Sequence, residues 1–169
     1  MSRSTTLQRT KILVPAILLT LVGVIVASLL MATPRKPPAP LGASAGVTGG
    51  VARINGVIPT EVDGWMPASA PAALAIPAAE GLHRVRVLLE LTALEKGGLS
   101  IDPSDYSISG LGSGTWKAVW SSPLPPTAAQ GESINATLVF ELPDRAIDLT
   151  LELPGGQELS LGAGHHRGS

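Results

Sequence analysis

The chain has 169 residues, no cysteine and a formal net charge of −1 from 12 basic and 13 acidic side chains. Without a thiol there is no disulfide, no thiolate nucleophile, no zinc–thiolate or blue-copper site and no lipid-modified cysteine. The near-neutral total hides a division: the five basic residues before position 46 have no acidic companion, whereas from Gly46 onward seven basic side chains stand against 13 acidic ones, a net −6 that speaks against nucleic acid and anionic headgroups as partners.

Residues 1–11 carry Arg3, Arg9 and Lys11 and read as a short tail. Residues 12–32, ILVPAILLTLVGVIVASLLMA, contain no charge, and Thr20 and Ser28 are their only polar side chains. At about 1.5 Å per residue such a helix spans roughly 30 Å, the thickness of a bilayer core, so a single transmembrane helix is predicted. Pro15 falls in its first turn, where a missing N–H costs least. Three basic side chains precede the run and two, Arg35 and Lys36, follow it, which places the N-terminus in the cytoplasm and the bulk of the chain outside. A cleaved signal peptide has a shorter apolar region, about 7–15 residues, and the small-x-small triplet Ala43-Ser44-Ala45 lies well beyond the run. Gly23 and Ala27 have the spacing that lets two helices approach closely.

Residues 33–50, TPRKPPAPLGASAGVTGG, read as a linker, extended in the proline-rich first half and flexible in the second. Residues 51–162 then form a β-rich domain. A first strand is expected over 51–58. Residues 59–82 have no period and carry three prolines between 67 and 79, so a loop or irregular edge is expected. In HRVRVLLELTAL, residues 83–94, Val85, Val87, Leu89, Leu91 and Ala93 alternate inward against Arg84, Arg86, Glu90 and Thr92, with Leu88 out of pattern. Tyr106-Ser107-Ile108 follows a turn at Asp102-Pro103, and residues 115–120 put Trp116, Ala118 and Trp120 on one side. In SINATLVFEL, residues 133–142, Ile134, Ala136, Leu138, Phe140 and Leu142 share a face and Val139 breaks the alternation. Residues 147–153 alternate without fault, and Pro154-Gly155-Gly156 turns the chain into residues 158–161, a closing hairpin. Residues 163–169 read as a disordered tail. About seven strands joined by Gly- and Pro-rich turns predict an all-β, immunoglobulin-like antiparallel sandwich. With three Trp, one Tyr and one Phe, its core is aliphatic.

The stretch from Val85 to Leu153 resembles a bacterial family of exported immunoglobulin-like domains of unassigned function. The resemblance rests on the alternating Val85-Val87-Leu89-Leu91 strand; on Pro103-Ser104-Asp105-Tyr106, similar to the family's Pro-x-(Asp/Asn)-aromatic strand start; on Gly131-Glu132 ahead of Leu138-Val139-Phe140-Glu141-Leu142-Pro143; and on the Ile147–Leu151 strand. It implies a domain held at the cell surface by a lipid or an N-terminal helix. The chain departs from the family pattern at Thr92-Ala93-Leu94-Glu95 and in the insertion 110–114, and the pattern supplies no ligand-binding residue.

Few residues invite a chemical role. His165 and His166 are the candidate metal ligands, because adjacent imidazoles hold divalent ions, but a glycine-flanked terminal tail lacks fixed geometry. His83 stands alone at a strand start and reads as structural. Gly110-Leu111-Gly112-Ser113-Gly114 puts glycine where a nucleophile elbow needs serine and lacks the Lys of a phosphate loop. Asp102 and Asp105 have too few oxygen companions for calcium and read as turn caps. Asn135-Ala136-Thr137 has the form of a glycosylation sequon, set in the middle of a strand. Trp65, Trp116 and Trp120 are the candidate interaction residues, the last two as core aromatics and Trp65 as the exposed one. No catalytic residue and no cofactor are expected. The expectation for function is a single-pass, membrane-anchored extracytoplasmic module that binds or supports another envelope protein; the alternative is an extracytoplasmic carrier of metal or a small ligand through its histidines.

Overall fold

A computed structural model describes residues 21–24, 36–67, 71–110, 114–122, 125 and 127–164. The chain divides into two compact units, Met1–Lys36 and Pro37–Ser169. In the first, residues 21–24 are helical. The rest of the expected membrane segment 12–32 lies outside the described residues, and among the described residues no helix is long and apolar enough to cross a membrane.

The second unit is built from strands. They are β1 (Ser44–Val47), β2 (Gly50–Pro59), β3 (Leu82–Ala93), β4 (Leu99–Ser100), β5 (Ser107–Ser109), β6 (Thr115–Ser121), β7 (Thr127–Ala128), β8 (Ser133–Pro143), β9 (Thr150–Glu152) and β10 (Glu158–Ser160). Eight of them run in the order β1-β2-β3-β8-β6-β5-β9-β10, and β4 pairs with β7. Every strand-to-strand ladder is antiparallel. Strand β6 makes the corner. Its first half pairs with β5 and its second half with β8, and the register shifts between Ala118 and Trp120. A bulge bends a strand and raises its twist, so one continuous ladder becomes two facing layers. One apolar cluster fills the space between them, with Val85, Val87, Leu89 and Leu91 of β3 and Leu138, Phe140 and Leu142 of β8 against Ile108, Leu151, Leu159 and Leu161. This is the expected β-sandwich with an aliphatic core. Its strands number ten among the described residues rather than about seven, because β1 falls within the expected linker and β4 and β7 are two residues long and too short to show a period.

Three expectations are corrected. Residues 33–50 are not spacer throughout: the sandwich begins at Pro37. Ala39 lies parallel to β10, its N–H donating to the Glu158 carbonyl at 2.9 Å and its carbonyl accepting from the Ser160 N–H at 2.7 Å. Ala39, Leu41 and Val47 pack on the core and Ala45 belongs to it. The turn into β2 requires glycine: Gly49 has φ +87°, and a Cβ there would lie 2.3 Å from the Gly98 carbonyl oxygen. Second, the strand expected over 147–153 is only Thr150–Glu152. Asp148 adopts φ +50°, as Asp tolerates, and this turns Ile147 outward to 49 % exposure while Ala146 takes the buried place. Third, residues 59–82 contain two single-turn helices, α1 (Thr60–Asp63) and α2 (Ala72–Ala75). Gly64 closes α1 in the left-handed region at φ 60°.

Candidate functional site

The outer face of β3 and β8 is where the sandwich carries more than a solvated sheet. The pleat directs Arg84 and Arg86 of β3, and Val139 and Glu141 of β8, to that face, with Arg84 opposite Glu141 and Arg86 opposite Val139. Two arms of chain, residues 60–67 and 71–79, lie over it as a strap. The arginines fasten them. Arg84 Nε donates to Glu141 Oε2 at 3.0 Å, and its Nη1 donates to the carbonyls of Leu74 at 3.2 Å and Ile76 at 2.6 Å. The backbone of Arg84 takes part too, its N–H donating to Glu61 Oε1 at 3.1 Å and its carbonyl accepting from Thr60 Oγ1 at 3.3 Å. Arg86 Nη2 donates to Asp63 Oδ2, whose other oxygen accepts the Trp65 N–H at 3.1 Å.

Arg86, expected to face solvent, is only 7 % exposed. Its guanidinium carbon lies 4.4 Å from the centroid of the Trp65 ring, so the cation is covered by an aromatic face and balanced by a carboxylate. Its Nε is buried without a hydrogen-bond partner among the described residues, which makes the Asp63 and Trp65 contacts matter more. Val139, the residue that broke the alternation of β8, is 1 % exposed because Trp65, Met66 and Leu74 of the strap close over it. The strap thus builds a satellite apolar cluster on the face opposite the main core.

The three candidate aromatics separate. Trp116 packs partly buried against the main core, as expected. Trp120 does not join it. The register shift in β6 sets Trp120 opposite Val139, on the outer face, where its ring meets Trp65 edge to face with centroids 5.7 Å apart and planes at 64°. Trp65, expected to be exposed, is half-buried in this contact. A cleft of about 430 Å³ opens between the two arms of the strap, lined by Trp65, Met66, Leu74, Ile76 and Glu61 among others. Met66 and Ile76 on its lining are 49 % and 65 % exposed, and Val62 of α1 is 64 % exposed. A second cleft of about 320 Å³ flanks Trp120, with Ser104, Lys117 and Ser121 on its walls.

The remaining candidates lie elsewhere. His165 and His166 are outside the described residues. His83 Nδ1 is 3.1 Å from Asp144 Oδ1, an arrangement that fits a structural role. Among the described residues no group of three or more His, Asp or Glu is placed to hold a metal ion. Asp102 caps the turn Pro103–Asp105, accepting from the Ser104 N–H at 2.9 Å and its hydroxyl at 2.7 Å; these bonds hold its carboxyl below the usual range. Glu90 is likewise lowered, by Asn55 first and Arg53 second. Tyr106 is buried, and burial, with the Asp105 charge behind it, pushes its phenol up to about 12.

No protein-family description matches the chain, and no curated protein matches it. Two solved structures are similar. One is MPT63, a secreted protein from Mycobacterium tuberculosis, with a TM-score of 0.48 at 14 % identity over 73 % of this chain and 95 % of that one. The other is an uncharacterized β-sandwich protein from Clostridium difficile 630, with a TM-score of 0.43 at 10 % identity over 76 % of this chain and 95 % of that one. At these identities the likeness is one of strand arrangement alone.

Arg86 is the residue of this face whose burial the sequence hid. A cue was present: Asp63-Gly64-Trp65 puts an acid, a turn former and a large aromatic into an otherwise featureless tract.

Proposed function

We propose that this chain is a single-pass membrane-anchored module whose immunoglobulin-like sandwich stands outside the cytoplasm and binds another protein of the envelope, without catalysis. The observation that carries the binding role is the strap. Val62, Met66 and Ile76 are large, apolar and exposed, yet the arms that bear them are fastened to β3 by Arg84 and Arg86. An apolar surface held rigid before it meets a partner loses little ordering entropy on binding. The anchor and its orientation are supported by residues 12–32 and the basic side chains around them.

The test is recovery of the full, C-terminally tagged chain from membranes. The anchored reading expects retention in the membrane fraction after alkaline washing and release by mild detergent. The binding reading expects a stoichiometric companion in the detergent extract, lost from Ile76→Asp. A washed-off chain overturns the first, and absence of any companion across several mild detergents overturns the second.

A further inference from the structure

The strap has a sign as well as a hydropathy. Between residues 60 and 81 the charged side chains are Glu61, Asp63 and Glu80, with no Lys, Arg or His. Arg84 lines the cleft, but both arginine side chains are largely covered and already paired, Arg84 with Glu141 and Arg86 with Asp63. Asp63 is thereby balanced. What remains in solvent is Glu61, on the wall of the cleft, and Glu80, two residues after Ala78 on its rim. The opening, about 430 Å³, is thus lined by one exposed carboxylate, with a second exposed carboxylate close by in the chain; its volume lies within the range of about 300–1,000 Å³ in which ligands bury most of their surface.

Three occupants compete for such a surface. An anionic bilayer is repelled by it. A second copy would bring Glu61 and Glu80 against their own equivalents. A cationic segment of another protein satisfies both features, and the net −6 of the chain from Gly46 onward steers it inward. We propose that the strap cleft receives one or two large apolar side chains of a partner segment whose neighbouring residues are Lys or Arg. This rests on the docking reading above and names the partner's chemistry.

The test uses the full chain in a neutral detergent and two synthetic peptides with the same Leu and Phe anchors, one flanked by Lys and Arg, the other by Glu. Titration should show the basic peptide binding at least about tenfold more tightly than the acidic one, with affinity falling as salt rises. The double variant Met66→Ser/Ile76→Ser, which keeps every charge, should weaken the basic peptide about tenfold. Glu61→Lys/Glu80→Lys should invert the preference. Glu61 also accepts the Arg84 N–H, so Glu80→Lys alone, whose side chain takes no part in the strap's hydrogen bonds among the described residues, serves as the milder variant and should narrow it. Equal binding of both peptides, binding of neither, or undiminished binding to Met66→Ser/Ile76→Ser overturns the proposal. A companion recovered from membranes whose capture ignores both glutamates would remove this inference and leave the docking reading standing.

Discussion

Trp65 covers Arg86. The ring centroid stands 4.4 Å from the guanidinium carbon, and the same tryptophan meets Trp120 edge to face at 5.7 Å. One cation thus holds a surface loop to the sheet beneath it through an aromatic face and the Asp63 carboxylate. Replacing Arg86 with Ala removes both contacts, leaves Asp63 without its cation and opens space under the ring. The expected cost is about 2–4 kcal/mol in unfolding by denaturant. Arg86→Lys retains the charge but not the planar stack and should fall between. Near-ultraviolet circular dichroism should lose the signal of the tryptophan pair in Arg86→Ala; an unchanged spectrum would show that the strap does not depend on it.

Val139 and Phe140 are neighbours in β8, both buried, on opposite faces. Phe140 belongs to the main core, whereas Val139 lies beneath Trp65 and Leu74. Phe140→Ala should lower global stability by about 3–5 kcal/mol. Val139→Asp should instead loosen the strap, because the new charge is buried under it, and raise protease cleavage between residues 60 and 79 at conditions where the sandwich stays folded. Limited proteolysis followed by mass spectrometry separates the two outcomes. Cleavage distributed evenly along the chain in Val139→Asp would refute a separate cluster.

Tyr106 is the only tyrosine, so phenolate absorbance reports on it alone. Its folded value is pushed up to about 12 from 10.0, chiefly by burial. Between those two values the folded protein keeps a proton that the unfolded chain releases. The stabilisation is therefore intact below pH 10 and is lost as pH rises through 12. Spectrophotometric titration should show no phenolate near pH 10 in the native protein, and its appearance should coincide with alkaline unfolding. Tyr106→Phe should shift that unfolding to higher pH. A phenolate appearing at its ordinary value in folded protein would contradict the burial.

Ala39 ties the start of the sandwich to β10 through its N–H and carbonyl, at 2.9 Å and 2.7 Å. Proline in its place deletes the donor and leaves the Glu158 carbonyl without it. A loss of about 1–3 kcal/mol is expected, together with faster amide exchange at Ser160. A residue in a passive tether would show neither effect.

Much of the sandwich was legible from period alone. Val85 to Ala93 and Ala136 to Leu142 alternate because each inward position meets the same core, and a strand's two faces are set two residues apart by covalent geometry. The hairpin around Pro154-Gly155-Gly156 was legible for the same local reason, since β9 and β10 pair across it. Apolar character over residues 12–32 and the basic residues beside them are likewise properties of adjacent positions. What the tertiary structure decided involves distant chain. Arg86 and Val139 are buried on the polar face only because residues 60–79 fold back over them. Trp120 leaves the core only because β6 changes partners from β5 to β8 at Ala118. Residues 37–47 join the fold only because Leu159 and Arg53 lie beside them. Local pattern records which face a side chain takes; whether that face meets water depends on what else arrives there.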